Sequence, residues 1–392
     1  VHCGGMNDRK PEDETVPLSE TLTVTVDDGT GPAPAGPGLS KELLLERFRD
    51  IVRSRAIYYP VAYDLRRHVG RGRQGVVFLG VYHGARGCIT RHAIKVFDPS
   101  IYAGGEGYWT DMGRIASQIS RLQTVHSPYL VSRAGYEEAG GIGYTQMEFI
   151  DGIDLRALMG RAHLRRARMR SNDKTWARFT DVIFRVDDHN VSFQPGVAIY
   201  IMRRVLRGLE QLHLHGFAHG DLKPANCMID RLGNLKIIDY GRAVRLGERV
   251  SLLFGTPYYM APEIHERHPA QAQSDLYSVG ILGLELLMGA RLGHGRTERE
   301  LLEFKRNLPD RLDTLLPAHV LANGDFVTML HRLIHASPEK RYESAREADS
   351  GADGLSEVHR QLVKTDQDAD YGRELENYLS KLVDPRTNEV EL

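Results

Sequence analysis

Cysteine is scarce in this 392-residue chain: Cys3, Cys88 and Cys227 are the whole set, and no two form a CxxC pair. An odd, scattered set excludes a disulfide framework and a cysteine zinc site, and it favours a reducing, cytoplasmic setting. Net charge is missing as well. Lys and Arg number 51 against 52 Asp and Glu, a formal charge of −1, so the overall balance argues for neither a nucleic acid nor an anionic membrane as partner. No apolar run reaches the ~20 residues that cross a bilayer. The longest, Leu276 to Ala290, is interrupted by Glu285 and is expected to be a buried helix. The start has no basic segment leading into an apolar one, so no export signal is expected. Val1 in first position is read as an alternative bacterial start codon, with Met6 as another candidate start. What remains, 41% hydrophobic and 26% charged residues, suffices for one large or two medium domains with a real core.

Organisation follows from patterning. Residues 1–39 are rich in Pro, Gly, Thr and acidic side chains, too poor in apolar groups to offset chain entropy, and are expected to be a disordered leader. Its threonines, Thr15, Thr21, Thr23 and Thr25, lie among acidic residues and read as a solvated tract or as phosphorylation sites. Ser40 is a candidate N-cap for KELLLERFRDIV, where Leu44, Phe48 and Ile51 give one apolar stripe, so a docking helix is predicted over 40–55. From Tyr63 to Phe97 the pattern predicts strands broken by glycines, and from Thr110 to Val125 a helix with Met112, Ile115, Ile119, Leu122 and Val125 on one face. Helical patterns dominate beyond Asp151. The expectation is an α+β fold: a strand-rich lobe over 56–150, a mainly helical lobe over 151–348, and a ligand cleft at their junction. A basic insertion at 160–196, including GRAHLRRARMRSNDKTWARF, is either solvated or a docking surface for an acidic partner. Residues 349–392 are predicted as two short amphipathic helices with an acidic tail.

Three stretches carry chemistry. VGRGRQGVV places Gly70, Gly72 and Gly75 after an apolar strand, with Arg71, Arg73 and Gln74 between them and Val77 on the next strand. Without Cβ atoms the backbone can approach phosphate oxygens, and the strand that follows, where a dinucleotide fold needs a helix, excludes that alternative. HAIKVF sets Lys95 inside a β-like run, uncomfortable unless its ammonium meets an anion. HGDLKPAN supplies Asp221, able to accept a proton from an attacking hydroxyl, Lys223 to steady a transferred phosphoryl, and Asn226 to offer an oxygen to a metal. CMIDRLGNLKIIDYG then reads as a hairpin that returns Asp239 to the side of Asn226. Two neighbouring oxygen donors suit Mg²⁺, which also takes phosphates and waters.

Together these motifs resemble the eukaryotic-type, Hanks-type Ser/Thr protein kinase family, from about Tyr63 to about Ala348. DYG at Asp239 is similar to the family's metal-binding DFG, GTPYYMAPE at Gly255 to Glu263 to its substrate-positioning segment, and SDLYSVG to the start of its central helix, with Asp275. The resemblance implies a bilobal kinase fold, ATP and Mg²⁺ as cofactors, and protein substrates. It implies a buried ion pair between Glu263 and Arg341, Met147 as gatekeeper, and hinge backbone groups at Glu148 and Ile150. Asp154 would reach the ribose, and Val77, Ala93 and Met228 would sandwich the base. Thr256 would position substrate and, with Lys223, favours Ser/Thr over Tyr. His219, Tyr240 and Leu122 would belong to the hydrophobic spine.

Two departures bear on activity. Gly220 stands where many members have an arginine that pairs with an activation-segment phosphate, so activity independent of that phosphorylation is expected; between Asp239 and Glu263 the modifiable residues are Ser251, Thr256 and the tyrosines. Gln118 stands where the resemblance implies a glutamate partner for Lys95, and its amide oxygen could still accept from the ammonium. A small-molecule kinase of the aminoglycoside or choline type also carries HGD, which would explain Gly220. Such enzymes resemble HGDLHxxN, however, and lack the GTPYYMAPE segment. A nucleotide-binding pseudokinase scaffold is favoured by Gln118 alone. His213, His215 and His219 invite a metal reading, but their stretch reads as a helix end before the catalytic loop.

Overall fold

The computed structural model describes residues 61–390 apart from 73, 188–189, 250–256, 294 and 366–369, together with 49, 52 and 53. The expected leader, most of the 40–55 helix, Arg73, Ser251, Gly255 and Thr256 lie outside the described residues. The chain divides into two compact units. In the one made of 1–60 and 84–88, residues 49, 52 and 53 are helical and Ala85–Gly87 forms a 3-10 turn. The other, 61–83 with 89–392, carries everything that follows.

Its first part is a five-stranded antiparallel sheet in the order β1-β2-β3-β5-β4. The strands are β1 (Tyr63–Gly72), β2 (Gly75–His83), β3 (Ile89–Phe97), β4 (Arg133–Ala139) and β5 (Ile142–Glu148). Between β3 and β4 runs helix α1 (Gly105–Leu122). It begins earlier than the Thr110 expected and stops short of Val125, whose N–H closes a turn on Leu122 O at 3.0 Å. Met112, Ile115, Ile119 and Leu122 form its buried stripe as their spacing predicts, and Gln118 lies buried on the same face. Glycine is required at the start of β2: a Cβ on Gly75 would lie 2.0 Å from Val96 O.

The second part is mainly helical. After β6 (Gly152–Asp154) the basic insertion folds into α2 (Ala162–Met169) and α3 (Asp173–Val182), then the hairpin β7 (Phe184–Val186) and β8 (Val191–Phe193). Four of its arginines bond within the chain: Arg161 to Asp187 O, Arg168 to Asp173, Arg170 to Val383 O and Arg178 to Glu374. The core lies around α4 (Pro195–Leu214). Next come β9 (Phe217–Ala218), β10 (Cys227–Asp230), β11 (Leu235–Ile237) and β12 (Val244–Arg245), with β10 between β11 and β6 and β12 paired to β9. The long apolar run becomes α5 (Ala272–Met288), buried on all sides. Its charged interruption, Glu285, is wholly buried and accepts from Tyr259 OH at 2.6 Å and Leu292 N at 3.0 Å. Among the described residues no helix is long and apolar enough to cross a membrane.

The C-terminal extension forms α6 (Leu355–Thr365) and α7 (Tyr371–Ser380). Tyr378 of α7 stacks edge-on against Phe179 of α3 at 5.0 Å, and its hydroxyl meets the buried His163. The insertion is therefore the platform on which the extension rests.

Candidate active site

Asp275, in the first turn of α5, organises the catalytic loop from beneath. Its carboxylate accepts from His219 N at 2.7 Å and Gly220 N at 3.0 Å and bonds His213 Nε2 at 2.8 Å. Burial alone would raise its pKa, but these bonds, that of His213 foremost, hold it below the usual carboxylate value. His219 is fully buried, which lowers its pKa, and its Nδ1 accepts from Asp221 N at 3.2 Å. It therefore acts as a neutral structural acceptor. Gly220 has φ +75°, a left-handed conformation in which any side chain is strained. The glycine thus has a conformational role in aiming Asp221, beside the loss of an arginine.

Asp221 is nearly buried, and its Oδ2 receives Lys223 Nζ at 2.7 Å, with Arg242 Nη1 3.9 Å away. Asn226 donates its amide to Asp221 O at 2.8 Å, turning its own carbonyl oxygen away from that acceptor. The bond from Ile238 N to Asn226 O, 2.8 Å, ties the hairpin shut and brings the neighbouring Asp239 beside Asn226. Lys95 Nζ donates to Asp239 Oδ2 at 3.1 Å across 144 positions of sequence. The surrounding protein would raise the Asp239 pKa, yet the Lys95 ammonium and the Arg133 guanidinium hold it well below the usual carboxylate range.

One cavity of about 780 Å³ receives these groups. Gly70, Arg71, Gly72 and Gln74 line it from the glycine hairpin, and Val77, Ala93 and Lys95 from β2 and β3. Met147, Glu148, Ile150 and Asp154 line it from β5 and the segment beyond, and Asp221, Lys223, Asn226, Met228 and Asp239 from the loops opposite. Register explains the grouping: Val77 faces Lys95, Ala93 faces Met147, and Met228 faces Asp154. No atom lies within 4 Å of where a Cβ would stand on Gly70 or Gly72. Internal packing therefore does not require glycine there, whereas a ligand approaching the backbone would. Asp154 commits one oxygen to Ala157 N at 2.9 Å, capping a short helix. Among the described residues no group of three or more His, Cys, Asp or Glu could hold a metal alone. The two oxygen donors at Asn226 and Asp239 fit a hard cation that completes its shell with phosphates and waters.

The expected partnership of Lys95 with Gln118 is corrected. Gln118 turns its amide NH₂ onto Ala243 O, and its Oε1 is buried without a partner, while Lys95 pairs with Asp239. A carboxylate could not donate to Ala243 O and would set a buried charge against a carbonyl. Gln118→Glu is therefore expected to lose about 1–3 kcal/mol of stability and to turn over no faster than wild type, as a thermal melt and an initial-rate comparison would read.

Arg133 was not among the expected site residues. It lies on β4 with its side chain 8% exposed, Nη2 3.6 Å from Asp239 Oδ1 and its guanidinium 3.9 Å from the Tyr240 ring centroid. Like Lys95, it is a cation within a strand, a signal that was legible in the sequence.

Comparison with known proteins gives the following. A family model described as protein kinase domain matches residues 63–350. A probable serine/threonine-protein kinase, mkcD of Dictyostelium discoideum, is 31% identical over 40% of this chain and 24% of its own. The probable serine/threonine-protein kinase PknB of Lactococcus lactis is 27% identical over 58% of this chain and 31% of its own. Human ribosomal protein S6 kinase alpha-2 is 25% identical over 81% of this chain and 38% of its own. The chain thus spans between 24% and 38% of the length of these relatives. They come from bacteria and eukaryotes alike, so they do not select the bacterial origin expected from Val1.

Proposed function

Because this chain belongs to the protein kinase family, we propose that it transfers the γ-phosphoryl of ATP to serine and threonine hydroxyls of proteins. The reading rests on one convergence: Lys95, Asp221, Lys223, Asn226 and Asp239, far apart in sequence, line the cavity that the glycine hairpin borders. Asp221 accepts the proton as the substrate oxygen bonds to phosphorus and the bond to the bridging oxygen breaks, releasing ADP. Lys223, already on Asp221 Oδ2, neutralises the transferred group, and Lys95 holds the α- and β-phosphates. Asn226 and Asp239 would hold Mg²⁺, which when bound offsets phosphate charge. Met147, Glu148 and Ile150 border the base, between Val77, Ala93 and Met228.

Activity is proposed to need no activation-segment phosphate. Gly220 offers no receptor for one, and the segment that resumes at Pro257 is held by the chain itself. The buried Lys305 ammonium donates to Pro257 O and to Met260 O, and Arg341 clasps Glu263. Ser251→Ala and Ser251→Glu are expected to keep turnover within about tenfold of wild type; a larger change in either would restore a phosphate switch. The basic insertion is read as a platform for the extension and not as a dock for an acidic partner. The cysteine content supports a cytoplasmic setting.

The deciding experiment incubates the purified chain with γ-labelled ATP, generic protein substrates and a panel of aminoglycosides and choline-like alcohols. Label on protein Ser or Thr is expected. Label on a small alcohol alone would overturn the reading in favour of a small-molecule kinase, and nucleotide binding without transfer to any acceptor in favour of a pseudokinase.

A further inference from the structure

The segment after α7 returns to the nucleotide cavity and forms part of its wall. Residues 383–390 make a closed turn: Asn388 N donates to Asp384 O and Asp384 N to Glu389 O, both at 2.8 Å, and Val383 bridges Val390. Arg170 of the insertion anchors its start by donating to Val383 O at 2.6 Å. At its end, Glu389 is held between two strands of the sheet. Its carboxylate, 8% exposed, accepts from Arg91 Nη1 of β3 at 2.9 Å and from Arg67 Nη2 of β1. The next residue, Val390, donates its N–H to Asp151 Oδ1 at 2.8 Å, and its buried side chain lines the cavity. Asp151 is fixed in turn by Arg231 Nη1 at 3.2 Å.

The position of these contacts gives them a consequence. Among the described strands β1 is the edge of its sheet, paired only with β2, and its register shifts between Leu65 and Arg67 and again between His68 and Gly70. It also carries Val69, Gly70 and Gly72, which line the cavity. An edge strand with two irregularities is easily displaced, and a displaced wall must be ordered again at the expense of ligand binding. Glu389 pins this strand from outside through a charge-assisted bond, on the same turn that reaches Asp151 on the cavity's other border.

We propose that residues 383–390 are a built-in clasp of the nucleotide cavity, in which Glu389 and Val390 are positioning residues that set nucleotide affinity by fixing β1 against Asp151. The clasp rests on the phosphoryl-transfer reading for the identity of its ligand. The insertion and the extension then share one role: α2 and α3 support α7, and α7 delivers the turn to the cavity.

The test uses the full chain with Glu389→Gln and, at the anchor of the turn away from the cavity, Arg170→Gln, measuring ADP and ATP binding by calorimetry, KM for ATP, kcat and thermal melting. Both variants are expected to weaken nucleotide binding and raise KM for ATP by roughly tenfold, with kcat and the KM for a protein acceptor within about twofold. Arg91→Gln removes one of the two donors from a half-exposed position, so it keeps the question open to measurement if Glu389→Gln folds poorly. It should move nucleotide affinity the same way by a smaller factor. Unchanged affinity in folded variants, or a fall in kcat with KM for ATP unmoved, would overturn the clasp. Wild type that binds no nucleotide would instead bring down the phosphoryl-transfer reading itself.

Discussion

Asp221→Asn should lower phosphoryl transfer by about a thousandfold while leaving ATP affinity within a few-fold, because general-base catalysis contributes roughly 10²–10⁴. The substitution keeps size and planarity but removes the oxygen able to take a proton. No neighbour can take over. His219 is fully buried and engaged by Asp221 N, and Lys223, Arg242 and the amide of Asn226 all present donors to the same carboxylate. Those donors also explain why binding should survive: the cavity keeps Lys95, Asp239 and the glycine hairpin unaltered. Single-turnover rates with saturating ATP, set against calorimetric ATP binding, separate the two quantities. A loss of under tenfold would remove Asp221 from the role of base.

Arg341→Met should be the most damaging change to stability away from the cavity. Arg341 is fully buried and meets Glu263 through two parallel bonds of 2.8 Å, while it also donates to His335 O, Gln273 O and Ala336 O. Removing it strands the Glu263 carboxylate, 5% exposed, with, among the described residues, only the hydroxyl of Ser274 as a bonded side-chain donor at 2.8 Å. Breaking such a buried pair costs about 3–5 kcal/mol, which for a domain of this size lowers Tm by roughly 10 °C. Adding Glu263→Gln should recover part of that loss, since the stranded group is then neutral. A single variant melting within about 2 °C of wild type would refute the argument. Turnover of the Arg341 variant should fall more steeply with temperature than its nucleotide binding, because Glu263 ends the segment that leads from Pro257.

Much of the site could be read in advance because its chemistry clusters in short motifs. Lys95 announced itself as a cation within a strand, and the loop from His219 to Asn226 holds its groups within one turn of chain. The stripe of α1 also followed from spacing. Gln118 went astray for an instructive reason. Its position on the buried face was legible, but whether its amide turned to Lys95 or to the backbone of Ala243 depends on how α1 docks. Arg133 was not among the expected site residues although, like Lys95, it is a cation within a strand. The basic run at 160–179 suggested an outward-facing charge, and Arg161, Arg165, Arg168, Arg170 and Arg178 are exposed, four of them also bonding carbonyls or carboxylates of the chain.

The amino-acid sequence alone determined the class of fold, the order of its elements and the residues proposed for phosphoryl chemistry, because period, turn chemistry and motif spacing are local properties. Only tertiary structure decided which charges meet. Lys95 with Asp239, and Glu389 with Arg67 and Arg91, are pairings across 144, and 322 or 298 positions, while Glu263 with Arg341, 78 positions apart, was expected from the family resemblance and is present. Such pairings depend on where packed elements come to rest, and burial then makes each one strong or costly according to whether the partner arrives.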